Sequence, residues 1–180
     1  LVEACARHGV AAVVQKPLAP DWADCCALVD AMDKAGRPLM VHENFRFQAP
    51  LLRAAEIARS GALGEPTWGR FAFRTGYDIY KGQPYLAEVD RFVLLDIGVH
   101  VLDVARVFMG EATSVYCLGQ AIKQGINGED QATVMMRHAN GAVSVSECSY
   151  ASRQEPDLFP RTLIHFEGTK GSIRVEADCR

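Results

Sequence analysis

Apolar and polar positions divide the chain into two parts with different periodicities. The first part alternates helical and strand patterns in the segments LVEACAR, VAAVV, DWADCCALVDAMDK and RPLMV. The apolar run at 10–14 is typical of a strand buried in a parallel sheet, and Asp21 can cap a helix that ends near Lys34. We therefore predict that residues 1–42 form the last part of a doubly wound α/β sheet.

The second part, residues 43–180, begins with an amphipathic helix and changes to period-two patterns. The helix begins near Ala49 and is ended by Gly61 or Gly64, an alternating strand follows at 67–77, and 76–93 has the composition of a long loop. Another helix runs to about Met109, and five alternating segments follow at 113–121, 130–138, 141–150, 162–167 and 171–176. Asn140-Gly141 is a strong hairpin signal. This order predicts an α+β domain with a mostly antiparallel open sheet and helices on one face.

Composition and charge exclude several classes of partner. Nineteen basic and 22 acidic residues give a formal charge of -3, and the sequence has no basic run that would follow a phosphate backbone, so we expect no nucleic-acid partner. It has no apolar stretch of the roughly 18–20 residues that a membrane span needs, and no signal segment opens it. We expect a soluble cytoplasmic protein without a membrane partner.

Cysteine and histidine spacing argues against a metal centre or a disulfide framework. The six cysteines include no CxxC pair, so we predict reduced, mostly buried thiols and no metal site. His8, His42, His138 and His165 lack ligand spacing and are interpreted as structural or exposed. The chain opens on Leu1 inside a helical pattern and stops near a strand, so we expect an internal piece of a longer protein.

The segment LLDIGVHVLDVARVFMG at 94–110 carries three polar residues on one predicted helix face. Asp96 and His100 are four residues apart, and Asp103 lies three beyond His100, so the three side chains are neighbours on a helix. One interpretation makes them a helix cap, a hydrogen-bonded core or surface histidine and a solvated acid. The other makes them a catalytic set in which a carboxylate fixes the imidazole tautomer, with Gly98 allowing close approach. The segment alone leaves both open.

Two further polar positions follow predicted strands. Lys16 comes directly after the first strand and before Pro17, which permits a cis peptide, and ligands of open α/β sheets bind at the carboxyl ends of strands. The segment HENFRFQAP follows the next strand. Asn44 and Arg46 are its candidate ligand-binding residues, while its two aromatics, Phe45 and Phe47, are expected to pack inward.

The segments QKPLA, HENFRFQAP, SGALGEP, DIGVHVLDVARVFMG, EDQATVMMRHANGAVSVSECSY and FEGTKGSIRVE occur in this order over nearly the whole chain. Their ordered set resembles the glucose-fructose oxidoreductase, inositol dehydrogenase and MocA family. The resemblance implies an N-terminal Rossmann domain for NAD or NADP, then an α+β domain whose open sheet faces a partner subunit in a homodimer or homotetramer. It also implies oxidation or reduction of a sugar, polyol or cyclitol-like alcohol.

The resemblance carries particular residues with it. The family's Glu-Lys-Pro motif falls on Gln15, Lys16 and Pro17, and its Asp-x-Gly-x-His motif falls on Asp96, Gly98 and His100. Lys16, Asp96 and His100 are then the catalytic and substrate-binding set. The candidates on the cofactor side are Gln15, Lys16, Pro17, Asn44 and Arg46. Gln15 departs from the family's Glu, and the Gly-rich phosphate loop GxGxxG does not occur in these residues.

The sequence therefore predicts an NAD(P)-dependent dehydrogenase or reductase that transfers a hydride to or from a CH–OH group. Two alternatives stay open at this point. One is an NAD-dependent glycosidase, which oxidises its substrate transiently without net redox change. The other is a non-catalytic regulator that binds the dinucleotide without turnover.

Overall fold

The computed structural model describes residues 1–157, 159 and 162–176. The chain divides into two units, Leu1–Asn44 and Phe45–Arg180.

The first unit is a pair of parallel strands with two helices. Its elements are α1 (Val2–Arg7), β1 (Ala12–Gln15), α2 (Trp22–Lys34) and β2 (Leu39–His42). Ala12 lies opposite Leu39 in the parallel register, and the Asp21 carboxylate caps α2 by accepting a hydrogen bond of 2.9 Å from the Asp24 N–H. The predicted helices and strands are confirmed. Their place in a larger doubly wound sheet stays a prediction.

The strands of this unit have one face that packs on the helices and one face that is exposed in the described residues. Ala12 belongs to a small core with Val2 and Met32, but Val13 between the core-facing positions is 72% exposed and Met40 of β2 is 52% exposed. Successive strand residues point to opposite faces, and the helices cover only one face of this two-stranded sheet. Burial of the second face of β1 in a larger parallel sheet stays a prediction.

The second unit is built on a six-stranded sheet. The strands are β3 (Pro66–Arg74), β4 (Ala112–Gln120), β5 (Gln131–His138), β6 (Val143–Ser149), β7 (Thr162–Gly168) and β8 (Gly171–Val175). Their order across the sheet is β4-β5-β6-β3-β7-β8. β3 and β6 are parallel, and every other neighbouring pair is antiparallel. The predicted mostly antiparallel sheet is confirmed.

Helices cover one face of this sheet. They are α3 (Ala49–Arg59), α4 (Ile79–Gly82) and α5 (Val99–Met109), with 3₁₀ turns at Phe45–Phe47 and Pro84–Glu88 and a π-helical turn at Leu94–Gly98. Alternate residues of β5 face the helices and are buried, as Val134 and Met136 illustrate. The segment predicted as one long loop, 76–93, contains α4 and a 3₁₀ turn. Its short helical turns lack the length at which apolar periodicity becomes visible.

The opposite face of the sheet is open. Every residue of β4 is exposed, and Tyr116 and Leu118 are each 60% exposed beside Met135 of β5, which is 48% exposed. The hairpin between β5 and β6 turns at the predicted Asn140-Gly141. Gly141 has φ +87°, which favours glycine.

The cysteines of the described residues are free thiols that differ in burial. Cys5, Cys25, Cys26, Cys117 and Cys148 are free thiols, and Cys179 lies outside the described residues. Of these five only Cys148 is buried, so the expectation of mostly buried thiols is wrong; Cys117, for example, lies on the exposed strand β4. Among the described residues, no helix is both long enough and apolar enough to cross a bilayer.

Candidate active site

The polypeptide that carries Asp96 is a π-helical turn joined directly to α5. Asp96 lies inside the turn Leu94–Gly98, and the first residue outside α5 is Gly98, which provides no side-chain cap. The alternative that made Asp96 a helix cap is therefore wrong. A Cβ on Gly98 would lie 3.2 Å from Cδ2 of Leu94, so glycine suits the packing of the turn itself. Single π turns inside helices occur frequently at functional sites.

The Asp96 carboxylate is held by a tyrosine from the sheet. Tyr150, directly after β6, donates a hydrogen bond of 2.9 Å from its hydroxyl to Oδ2 of Asp96. The Tyr150 ring is 8% exposed, stacks on Phe92 with ring centroids 5.5 Å apart and lies edge-on to Phe73. Aromatic packing therefore fixes the donor, and the donor fixes one oxygen of the carboxylate.

Burial raises the pKa of Tyr150 well above its usual value of 10.0, and the negative charge of Asp96 raises it further. The phenol consequently keeps its proton in neutral and mildly alkaline solution. Tyr150 is a fixed hydrogen-bond donor in this range.

Tyr150→Phe is expected to change the alkaline stability of the fold. The unfolded chain releases the phenolic proton near pH 10 and the folded chain retains it, so the free energy of unfolding falls as pH rises above 10. This group contributes up to about 1.4 kcal/mol per pH unit. Urea unfolding at pH 8, 10 and 11 should show a shallower decline for the variant. Equal declines in parent and variant would contradict the assignment.

His100 lies on the first turn of α5 and is 5% exposed. The Phe45 ring stacks on the imidazole, with ring centroids 4.0 Å apart and an interplanar angle of 10°. Phe45 belongs to the 3₁₀ turn at Phe45–Phe47 and is itself partly buried against the main core. The imidazole is therefore placed inside the domain, with a flat apolar surface over one ring face.

Asp103 is not a solvated acid, as the first interpretation had it. Its carboxylate pairs with both the Nε and the Nη2 of Arg46, and its side chain is 18% exposed. Such two-point pairing is the preferred geometry between a guanidinium and a carboxylate. Arg46 had been predicted beside the cofactor, and the structure shows its guanidinium held on α5.

The other predicted site residues lie in the first unit. Gln15 ends β1, Lys16 and Pro17 follow it, and the peptide bond between Lys16 and Pro17 is cis. Asn44 is exposed two residues after the end of β2. Since β1 and β2 are parallel, Lys16 and Asn44 both follow strands at the same sheet edge, where α/β sheets bind ligands.

The sequence predicted that both aromatic residues of the segment HENFRFQAP pack inward, and the structure confirms this for only one of them. Phe45 packs inward, but Phe47 is 62% exposed because the short turn directs the two rings differently. His138 is a structural histidine, as predicted. It is 1% exposed, and its ring nitrogens hydrogen-bond the Gly110 carbonyl and the Ser144 hydroxyl.

Three features of the site escaped sequence reasoning. They are the hydroxyl of Tyr150 on Asp96, the stack of Phe45 on His100 and the pairing of Arg46 with Asp103. The first joins residues 54 apart in the chain and the last joins residues 57 apart. A single sequence gives no signal for such pairs. The useful local signal was that Tyr150 ends a predicted strand and that Phe45 lies shortly before a predicted helix.

Comparison with known proteins identifies the domain. Residues 51–174 match the family model for the GFO/IDH/MocA C-terminal domain. The chain is 47% identical over 180 residues to a D-apiose dehydrogenase of Paraburkholderia graminis and 46% identical to one of Rhizobium rhizogenes. These alignments cover 100% of the chain and 48% and 52% of the two relatives.

A solved structure has almost the same fold. An oxidoreductase from Agrobacterium radiobacter, in complex with NAD+, L-tartaric acid and magnesium, superposes with a TM-score of 0.96 and 45% identity, covering 99% of this chain and 52% of that one. The chain thus spans about half the length of the relatives that it matches. The family model matches most of the chain, and the relatives align with its full length. The chain therefore belongs to the GFO/IDH/MocA family.

Proposed function

We propose that the protein containing this chain is an NAD(P)-dependent dehydrogenase of a sugar, polyol or cyclitol-like alcohol. The observation that carries the proposal is the carboxylate of Asp96, held by Tyr150 four residues before a buried histidine. The two D-apiose dehydrogenases align with every residue of the chain, so D-apiose is the first substrate to test. NAD+ in the Agrobacterium radiobacter structure supports the nicotinamide cofactor.

We propose a different role for each of the two units. We assign residues 1–42 to the end of a dinucleotide-binding Rossmann domain and residues 43–180 to a substrate-binding and oligomerisation domain. Gln15, Lys16, Pro17 and Asn44 are the residues that would contact the cofactor, because they lie at or just after the carboxyl ends of parallel strands. Arg46 is the weaker candidate, since Asp103 already holds its guanidinium.

The chemistry assigned to this chain is proton transfer and charge stabilisation. The nicotinamide, when bound, accepts or supplies the hydride. His100 takes the proton of the reacting hydroxyl as the carbonyl forms. Asp96, fixed by Tyr150, orients the imidazole or binds a neighbouring hydroxyl. The ammonium group of Lys16 holds the reacting oxygen and stabilises its developing negative charge.

The substrate-binding region is proposed next to Tyr150. The Tyr150 side chain lines a cavity of about 340 Å³ together with Tyr77, Tyr80, Lys123 and Arg153, and neither Asp96 nor His100 is among the residues that line it. Aromatic walls with a few charged groups suit a small polyhydroxylated molecule, because apolar sugar faces pack on rings while hydroxyls meet polar groups. A volume of this size accommodates a monosaccharide.

The open face of the six-stranded sheet is proposed as the contact between subunits in a homodimer or homotetramer. Tyr116, Leu118 and Met135 are exposed there, and association would remove this apolar surface from water. A cytoplasmic location and the absence of nucleic-acid and membrane partners stay predictions.

Lys16→Met tests the proposed function in the longest natural form of the protein that contains this chain. The kcat/KM with D-apiose, or with another sugar or polyol that responds, should fall about 10–150-fold, because a hydrogen bond to a charged group contributes about 1.5–3 kcal/mol. NAD affinity should change less. Lys34→Met is the matched control, since Lys34 is exposed at the end of α2.

The same assay separates the alternatives. Sugar released from a glycoside without net NADH would replace the dehydrogenase proposal by the glycosidase. Dinucleotide binding without turnover of any sugar or polyol would support the alternative of a non-catalytic regulator. Unchanged turnover of Lys16→Met would contradict the role assigned to the ammonium group.

A further inference from the structure

The stack between Phe45 and His100 has the geometry of a positioning contact. The two rings are close to parallel, at 10°, with centroids 4.0 Å apart. Hydrogen bonds of imidazole lie in the plane of its ring, whereas this contact covers a ring face. Phe45 can therefore restrain the imidazole without competing for either of its nitrogen atoms.

The residue after Phe45 fastens the same turn to the same helix. Arg46 pairs at two points with Asp103, which lies three residues after His100 on α5 and so on the same side of the helix. The 3₁₀ turn is closed by the Gln48 N–H, which donates a 3.0 Å hydrogen bond to the Phe45 carbonyl. Consecutive residues of one turn thus contact α5 at two sites about one helical turn apart.

Filling the core does not by itself account for an aromatic residue at position 45. Phe47, in the same turn, is 62% exposed, so the turn does not bury aromatic rings generally. A leucine at 45 would also exclude water from the partly buried position. A flat ring, however, holds a second flat ring at a defined angle, which a branched aliphatic side chain does not.

We propose that Phe45 is a positioning residue for His100, with the Arg46–Asp103 pair holding Phe45 in place. This inference rests on the proposed function, in which His100 transfers the proton. The stack limits rotation of the imidazole and keeps water from one of its faces. The ring then meets the reacting hydroxyl already oriented, and the entropy of orienting it is lost on folding rather than during each turnover.

Kinetics of two substitutions test the inference in the longest natural form of the protein. Phe45→Leu should lower kcat about 10- to 100-fold, because small misplacements of catalytic groups have effects of this size. KM for the dinucleotide should stay close to that of the parent. Phe45→Tyr keeps the flat ring and should recover most of the activity. Phe47→Leu is the control within the same turn and should behave as the parent.

A double-substitution cycle separates this inference from the proposed function. In a His100→Ala background, Phe45→Leu should cause no further loss of kcat, because a positioning residue acts through the group that it positions. If kcat of the double variant falls by the product of the two single fold-losses, Phe45 acts independently of His100. That result would overturn the positioning role and leave the proposed function standing. Normal turnover of His100→Ala would instead overturn the proposed function.

Proton NMR of the longest natural form of the protein gives a readout that needs no activity. The ring protons of His100, identified by their loss in His100→Gln, should be shifted upfield by the ring current of Phe45. Phe45→Leu should move them downfield, and Phe47→Leu should leave them unchanged. His100 signals that do not respond to Phe45→Leu would overturn the inference.

The Arg46–Asp103 pair has its own expected result. Asp103→Asn removes the charge that holds Arg46, so the His100 signals should move in the same direction as in Phe45→Leu but by less. In the double variant, the shift should equal that of Phe45→Leu alone. Unaltered His100 signals in Asp103→Asn would show that the Arg46–Asp103 pair does not help to hold Phe45. The stack with Phe45 would then be the only restraint on His100 in the proposal.

Discussion

Replacement of His100 by alanine is expected to lower kcat by about 10²–10⁴-fold, the range that positioned proton transfer contributes. The alanine variant has no group at this position to take the hydroxyl proton as the carbonyl forms. Asp96 stays bound to Tyr150, but it is assigned to orienting the imidazole or binding a neighbouring hydroxyl. The loss should therefore appear mainly in kcat.

The measurement is nicotinamide absorbance with a responsive sugar or polyol, alongside dinucleotide affinity by fluorescence. Affinity should stay within a few-fold of the parent, which would separate lost chemistry from lost binding. His8→Ala is the control, because His8 is an exposed histidine just after α1. Turnover of His100→Ala at the parent rate would show that another group transfers the proton.

Replacement of Phe73 by alanine is expected to lower the free energy of unfolding by about 3–5 kcal/mol, the usual cost for a buried phenylalanine. Phe73 is 1% exposed on β3, and its ring lies 6.2 Å from those of both Phe45 and Tyr150. The cavity would therefore open beneath the side chains that hold His100 and Asp96. We expect kcat to fall as well, even under conditions where the variant stays folded.

Urea unfolding followed by circular dichroism measures the first effect, and turnover at low temperature measures the second. Phe47→Ala is the matched control, because Phe47 is 62% exposed and should change stability by less than about 0.5 kcal/mol. A loss below 1 kcal/mol in Phe73→Ala would mean that the core closes over the missing ring.

Local patterns were sufficient to predict most elements of the fold. Alternation predicted every strand of the six-stranded sheet, and Asn140-Gly141 predicted the turn between β5 and β6, because hairpin pairing depends on adjacent residues. Asp21 correctly marked the start of α2. These features need only neighbours in the chain, and a single sequence contains that information.

The face of α5 and the partners of the site could not be predicted in the same way. Val101 and Val104 are the buried valines of α5, while Leu102 and Val107 are partly buried against the same core. Apolar residues occupy most of the circumference of α5, so the hydrophobic periodicity does not identify the face that packs on the sheet. The π turn before it also departs from the regular helix that the pattern assumed.

The site was predictable as a set of residue types but not as a set of contacts. Asp96, His100 and Lys16 came from motifs, whereas Tyr150 and Phe45 reach the motif residues through the tertiary fold. The Arg46–Asp103 pair shows the same limit, since Arg46 was predicted on the cofactor side and Asp103 as either a solvated acid or part of a catalytic set. Which long-range pairs form depends on strand order and helix packing, which local propensity does not specify.

The central position of β3 has a consequence for how the protein is synthesised. Its neighbours β6 and β7 come late in the chain: Arg70 pairs with Glu147, 77 residues away, and Thr67 donates to Glu167, 100 residues away. A growing polypeptide that has completed β3 has neither partner strand, and its Phe71–Phe73 segment stays exposed to solvent or to chaperones. Such non-local pairing slows folding. A translation pause before residue 162 should therefore favour aggregation, and one after β8 should not.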